Sequence, residues 1–394
     1  MKKFLSVLLV YALFFVMILP IYAENGDKTE AENETDEKEL PFSVEAKSAV
    51  LMEAETGEIL YAFCENEPLP PASVTKIMTL LLTMEAIEAG KIAPDDAVSI
   101  SAYAASMGGS QVFLEEGESI TLADLIKCCV IASANDAAVA LGELVSGSEE
   151  AFVADMNRRG EELGLQNTRF ENATGLDDTV ERHVMSAYDI AQISRALLRY
   201  PMITEYASIW QDTIRNGNFT LTNTNRLVRF YDGCNGLKTG STDRAGFCMS
   251  AAAKRDGMQL IAVVMGAPTR DKRNAIAKKL LDYGFSQYAL YASEEAFLEQ
   301  VPVYGGVRDA VALWERPFFA LVGRGKAGSV EERYAIPEAV CAPLRVGQIV
   351  GTVSFYSDGE KIGESAIEVR EDVARITFVE LFWRMIAFTA GIGV

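Results

Sequence analysis

The stretch Pro71-Ala72-Ser73-Val74-Thr75-Lys76-Ile77-Met78-Thr79 decides how the rest of the chain is read. Just before it, Glu67-Pro68-Leu69-Pro70-Pro71 brings prolines that lack a backbone N–H and so end any preceding strand. From Ser73 to Ala89 the apolar pattern is helical, and Gly90 supplies a stop. Ser73 and Lys76 are three residues apart, which puts their side chains on one helical face. A serine hydroxyl is a weak nucleophile until a base takes its proton. Lys76 becomes such a base where burial and a nearby cation lower its pKa. The helix N-terminus adds a positive dipole beside the serine oxygen. Alone, the pattern equally fits a capping serine followed by a surface lysine.

Two other short motifs change that balance. Upstream of the first, Ala46–Glu53 and Glu58–Phe63 read as strands around the Glu55-Thr56-Gly57 turn. Downstream, a helix from about Leu122 to Ile131, N-capped by Thr121, breaks at Ser133-Ala134-Asn135, and Asp136 starts another helix. A hydroxyl and an amide at such a break can relay a proton and hold an amide. After a mostly helical region at 150–200, the pattern turns to strands at Gly236–Lys238, Ala245–Ala253 and Gln259–Met265, closed by a helix at about Asn274–Tyr283. The first of these strands carries Lys238-Thr239-Gly240-Ser241: a second cation, two hydroxyls suited to a carboxylate, and a glycine that lets a substrate backbone approach. Strands, helices, strands and a helix imply a central antiparallel sheet covered by helices, an α+β arrangement at residues 41–290. Short strand-like runs at 295–376, such as Ile349–Phe355 and Ser365–Val369, read as a separate small β domain.

The ends have their own character. Lys2 and Lys3 followed by an apolar run from Phe4 to Pro20, then Ile21-Tyr22-Ala23, read as a signal peptide over residues 1–23, with an uncleaved anchor as the alternative. Either puts the body outside the cytoplasm. Residues 24–40 hold eight acids and two lysines and read as a disordered linker. Residues 377–394 read as an amphipathic helix with Phe378, Leu381, Phe382, Met385 and Ile386 on one face, suited to lying on a membrane surface, or else to docking on the β domain. The formal charge of −20 excludes a general nucleic-acid binder. One histidine, His183, argues against a histidine-rich metal site, and no metal or cofactor is expected. No G-x-S-x-G elbow surrounds any serine, so His183 is not read as a triad base. The six cysteines fall in no C-x-x-C pair and read as buried thiols, with a Cys234–Cys248 bridge left open.

Taken together, S-x-x-K, S-x-N and K-T-G in this order form a far more specific signal than any one of them. The chain resembles the D-alanyl-D-alanine carboxypeptidases among the low-molecular-mass penicillin-binding proteins. Ala173-Thr174-Gly175-Leu176-Asp177, Asn223-Thr224-Asn225 and Leu280-Leu281-Asp282-Tyr283-Gly284-Phe285 strengthen the likeness. The resemblance implies a penicillin-binding, β-lactamase-like α/β transpeptidase domain and cleavage of peptidoglycan stem peptides, with β-lactam antibiotics as acylating ligands. It makes Ser73 the nucleophile, Lys76 its base, and Ser133 with Lys238 the proton path to the leaving amine. It gives Asn135 the substrate backbone, the N–H groups of Ser73 and Ser241 the oxyanion, and Thr239 and Arg273 the terminal carboxylate. A β-lactamase shares the three motifs, but its E-x-x-L-N pattern is absent between Ser133 and Lys238. A non-catalytic wall-binding scaffold of the same fold is the other alternative, and the three intact motifs argue against it.

Overall fold

The computed structural model describes residues 42–178 and 180–390. The expected signal peptide and acidic linker, and the last residues of the expected C-terminal helix, lie outside the described residues.

The hydrophobic runs build one antiparallel sheet. Its strands are β1 (Ser48–Glu53), β2 (Ile59–Phe63), β3 (Cys234–Thr242), β4 (Gly246–Arg255) and β5 (Met258–Ala267), in the order β2-β1-β5-β4-β3. Val50 pairs with Val263, Ala251 with Ala262, and Lys238 with Ser250. β1 and β5 are apolar along nearly their whole length because helices cover both faces. On one face Leu51 and Leu260 pack with Leu280 and Leu281 of α5 (Arg270–Gln287). On the other, Val50 and Met52 meet Ile77 and Leu81 of α1 (Lys76–Glu88) and Ile190 and Ile193 of α4 (Ala187–Leu197). Ten of the 13 residues of α1 are buried, as expected of a helix that is apolar all round and threads a core.

The sheet leaves β3 as an edge strand, and that edge faces the junction of α2 (Leu122–Val130) and α3 (Asn135–Ser146). Thr121 caps α2 as read from sequence, its hydroxyl accepting from Asp124 N at 3.2 Å. α3 begins at Asn135, one residue earlier than expected. The expected single helix from Ser73 is two pieces: a 3₁₀ turn at Ala72–Thr75 and then α1. Ser73 therefore stands ahead of the α-helix, in a turn that starts from a left-handed Ala72 at φ +49°. All six cysteines are free thiols, so the Cys234–Cys248 bridge does not form.

The C-terminal region is β-structured apart from a 3₁₀ turn at Ala327–Ser329 and one last helix. After β6 (Tyr288–Ser293) come β7 (Ala296–Tyr304), β8 (Ala310–Glu315), β9 (Phe318–Gly323), β10 (Glu331–Ala335), β11 (Val340–Cys341), β12 (Ile349–Ser357) and β13 (Glu360–Val369). Six of them form a sheet in the order β10-β12-β13-β8-β7-β11, and β6 pairs with β9. Leu313, Val353, Phe355, Ile367 and Val369 form the centre of its core. Helix α6 (Phe378–Thr389) follows, started by a capping box between Thr377 and Glu380.

Candidate active site

A cleft of about 640 Å³ opens where β3, the 3₁₀ turn and the α2–α3 junction converge; Ser73, Ser133, Thr239, Gly240, Ser241 and Arg273 line it. Lys76 and Ser73 meet as their spacing requires: Lys76 Nζ donates to Ser73 Oγ at 2.9 Å. The other two ammonium protons go to Asn135 Oδ1 at 2.6 Å and Thr174 O at 2.8 Å. Lys76 has no exposed surface, and burial pulls its pKa down to about 8, against the weaker opposing pull of Cys129 and Asp136. A lysine held there loses a proton far more readily than a surface lysine. Its free lone pair then faces the serine hydroxyl.

The second motif uses backbone strain. Ser133 sits in the left-handed region at φ +64°. There its Oγ accepts from Lys238 Nζ at 2.7 Å, a bond that ties β3 to the helix break. Lys238 also donates to Thr239 O at 2.9 Å. Burial, with Lys76 and Arg273 adding like charge, drives its pKa well below the ordinary lysine value. Asn135 is buried and joins two neighbours: besides receiving from Lys76, its Nδ2 donates to Gly108 O at 2.7 Å.

The third motif differs from expectation in one respect. Gly240 was read as room for a substrate backbone. A Cβ there would instead lie 2.7 Å from Ser73 N and 2.8 Å from Pro71 O. The bare residue admits the nucleophile's own turn against β3. Thr239 Oγ1 donates to Thr224 Oγ1 at 2.8 Å, and Ser241 is exposed on the edge strand. Arg273 lies in the first turn of α5, almost fully buried, donating to Cys248 O at 3.3 Å and Asn274 Oδ1 at 2.9 Å. Burial and the neighbouring Arg270 lower its pKa to about 10.

Several supports were not read as such from sequence. Asp136, expected to open a helix, accepts from Val112 N at 3.1 Å and Leu114 N at 3.0 Å, pinning the loop whose Ser110 also lines the cleft. Thr75, inside the first motif, donates to Ala72 O at 2.9 Å and meets His183 Nε2 at 2.7 Å. Because His183 Nδ1 accepts from Glu171 N at 3.1 Å, its proton sits on Nε2 and is donated to Thr75. Burial lowers the His183 pKa to about 4, so the ring stays neutral. His183 thus braces the nucleophile's turn. The spacing of Thr75 offered no signal, since its partner is 108 residues away.

A serine hydroxyl beside a deprotonable lysine, with a second lysine–serine pair at the same cleft, is the arrangement expected of one class: serine hydrolases that work through an acyl-enzyme with lysine in place of a histidine base. The family model for D-alanyl-D-alanine carboxypeptidases matches residues 32–269, and that for the C-terminal domain of penicillin-binding protein 5 matches 285–375. The chain belongs to the D-alanyl-D-alanine carboxypeptidase family, and its activity is that of a serine-type D,D-carboxypeptidase. It is 42% identical to D-alanyl-D-alanine carboxypeptidase DacF of Bacillus subtilis (strain 168) over 98% of both chains. Penicillin-binding protein 5 of Haemophilus influenzae superposes with a TM-score of 0.73 at 34% identity, covering 85% of this chain and 99% of that one. The ampicillin-bound penicillin-binding protein D2 of Listeria monocytogenes gives 0.57 at 31% identity, covering 61% of this chain and 98% of that one.

Proposed function

We propose that the chain removes the terminal D-alanine from peptidoglycan stem pentapeptides through an acyl-enzyme on Ser73, and that β-lactams acylate the same serine. The observation that carries this assignment of roles is the Lys76 Nζ–Ser73 Oγ contact of 2.9 Å, made by a lysine whose pKa is lowered to about 8. Neutral Lys76 takes the hydroxyl proton as Ser73 Oγ bonds to the carbonyl carbon between the two D-alanines. The C–N bond then breaks as Ser133, held by Lys238, gives its hydroxyl proton to the departing amine and takes in its place the proton that Lys76 carries, which returns Lys76 to the neutral form. Water then cleaves the ester with neutral Lys76 as base, and the proton passes to Ser73 Oγ as the acid leaves. The N–H groups of Ser73 and Ser241 receive the oxyanion, where one donor typically contributes about 10²–10³ in rate. Asn135 holds the substrate backbone, and Thr239 and Arg273 hold the terminal carboxylate.

The same reading puts the mature body outside the cytoplasm after signal cleavage, with α6 resting on the outer face of the membrane. Support comes from α6 itself: Phe378, Phe382, Trp383, Met385 and Phe388 are each at least half exposed, and none of its residues is buried. Among the described residues no helix is long and apolar enough to cross a membrane, which fits a helix lying in the interface. The test is incubation with a stem pentapeptide and measurement of released D-alanine, together with mass spectrometry after penicillin treatment. Release of D-alanine and a stoichiometric adduct on the Ser73 peptide are expected. Folded protein that takes no adduct, or takes it elsewhere, overturns the assignment.

A further inference from the structure

The cleft extends well past the groups that a single alanine would occupy. Its lining also includes Trp210, Phe230, Arg226 and Arg270, and this recess adjoins Thr239 through Thr224, which Thr239 Oγ1 meets at 2.8 Å, and Asn223, whose N–H donates to Trp210 O at 2.9 Å. The two rings pack edge to face at 6.3 Å, and Arg229 lies 5.4 Å from Trp210 and 5.5 Å from Phe230. The indole N–H of Trp210 is buried and has no partner.

The charge here exceeds what the proposed reaction needs. Arg270 and Arg226 are close enough to Arg273 to depress its pKa, with Asp271 opposing them. Among the described residues, neither Arg226, Arg270 nor Arg273 forms an ion pair. Some arginines elsewhere in this acidic protein, at −20 overall, pair with carboxylates, as in Arg215–Glu118 and Arg159–Glu85, whereas these three share one cleft with no carboxylate of their own. One terminal carboxylate neutralises one of the three guanidiniums and leaves the other two facing the recess.

Building on the functional reading above, we propose that this recess is a leaving-group subsite for a C-terminal arm larger than alanine and bearing a second negative charge. Ser133 stands where the departing amine takes its proton, so a group past Thr239 belongs to the departing half. The bond chemistry is unchanged: Ser73 Oγ–C forms, C–N breaks, and the proton goes to the leaving nitrogen. Two sources supply such an arm. One is a free terminal D-residue with an acidic side chain. The other is a neighbouring stem peptide joined through the amine of its diamino acid and bringing its own carboxylates.

The test measures kcat/KM of the full chain on soluble acyl-D-Ala-D-X peptides, with X as D-Ala, D-Glu or D-Lys, and on a soluble cross-linked stem dimer. The wild type is expected to prefer D-Glu over D-Lys by about tenfold, and Arg270→Gln to shrink this to about threefold, the scale of a partly exposed charge pair. Arg270 is exposed at the start of α5, so D-Ala-D-Ala cleavage and penicillin acylation stay within about twofold in that variant. Dimer cleavage with the same Arg270 dependence assigns the arm to a neighbouring stem; D-Glu preference without dimer cleavage assigns it to a free terminal residue. Equal rates on D-Glu and D-Lys with D-Ala-D-Ala still cleaved, or a preference untouched by Arg270→Gln, overturn the subsite alone. No cleavage of D-Ala-D-Ala overturns the functional reading, and the subsite with it.

Discussion

The centre of the catalytic domain and the surface of the C-terminal β domain treat charge in opposite ways. In the first, Lys76 and Lys238 are sealed from solvent without a carboxylate partner, and two non-glycine residues beside them, Ala72 and Ser133, hold left-handed backbone. In the second, solvent-facing charges sit in pairs, such as Arg308–Glu371, Arg370–Glu295 and Lys326–Asp358. Surface pairs contribute little to stability because water and salt screen them. Buried unpaired lysines are destabilising, and they persist where lowered pKa values serve chemistry. The difference teaches where to look for function: charge without a partner outweighs charge in quantity.

The comparison breaks first at the lysines. Lys76→Ala is expected to slow penicillin acylation by about 10³-fold or more while the fold survives, since the serine loses its base; stopped-flow acylation and circular dichroism check both halves. Lys238→Ala should have a similar effect. If either leaves acylation intact, the buried charge has no chemical role. The pH dependence tests the same claim. The base must be neutral, so kcat/KM should climb about tenfold per pH unit below the Lys76 pKa and level off above about 8.

A smaller effect is expected at Thr75. Removing its hydroxyl in Thr75→Val leaves Ala72 O and the His183 N–H buried without that partner, a loss of about 1–3 kcal/mol of stability. Acylation should slow with KM little changed, and Thr75→Ser should restore it. Unaltered acylation in a folded Thr75→Val protein would reduce the His183 brace to packing. The smallest effects belong to the β domain. Ending the chain after Arg375 should abolish binding to lipid vesicles yet leave turnover of a soluble peptide within about twofold. Lys361→Ala, which removes the surface pair with Glu364, should leave the melting temperature unmoved.

Much of this was legible in the sequence, for reasons that differ by region. The helix carrying Lys76 and the strand carrying Lys238 follow from local apolar pattern, and the Ser73–Lys76 contact follows from helical spacing. The β domain was readable as alternating short runs between glycine turns. What stayed hidden depends on distance along the chain. Thr174 O on Lys76, His183 on Thr75 and Thr224 on Thr239 join residues that no periodicity links. The split of the first helix was hidden as well, because a left-handed alanine has no sequence signature. Asp136 looked like the start of a helix and proved to be a clamp on a distant loop, since its carboxylate reaches Val112 N and Leu114 N. Arg273 stands among charged residues at a helix start, with no local sign of burial, yet the fold of α5 on β4 buries it.

Gly175 shows where the machine is most fragile. It takes φ +84°, and a Cβ at that position would fall 1.8 Å from Ala72 O, the carbonyl that the Thr75 hydroxyl holds. No side chain fits there without dislodging the turn that presents Ser73. A saturation library of this chain would therefore show its deepest intolerance at a residue with no reactive group at all. An inactive allele at Gly175 would keep every acid, base and nucleophile of the parent, and would misleadingly look intact to any search for catalytic motifs.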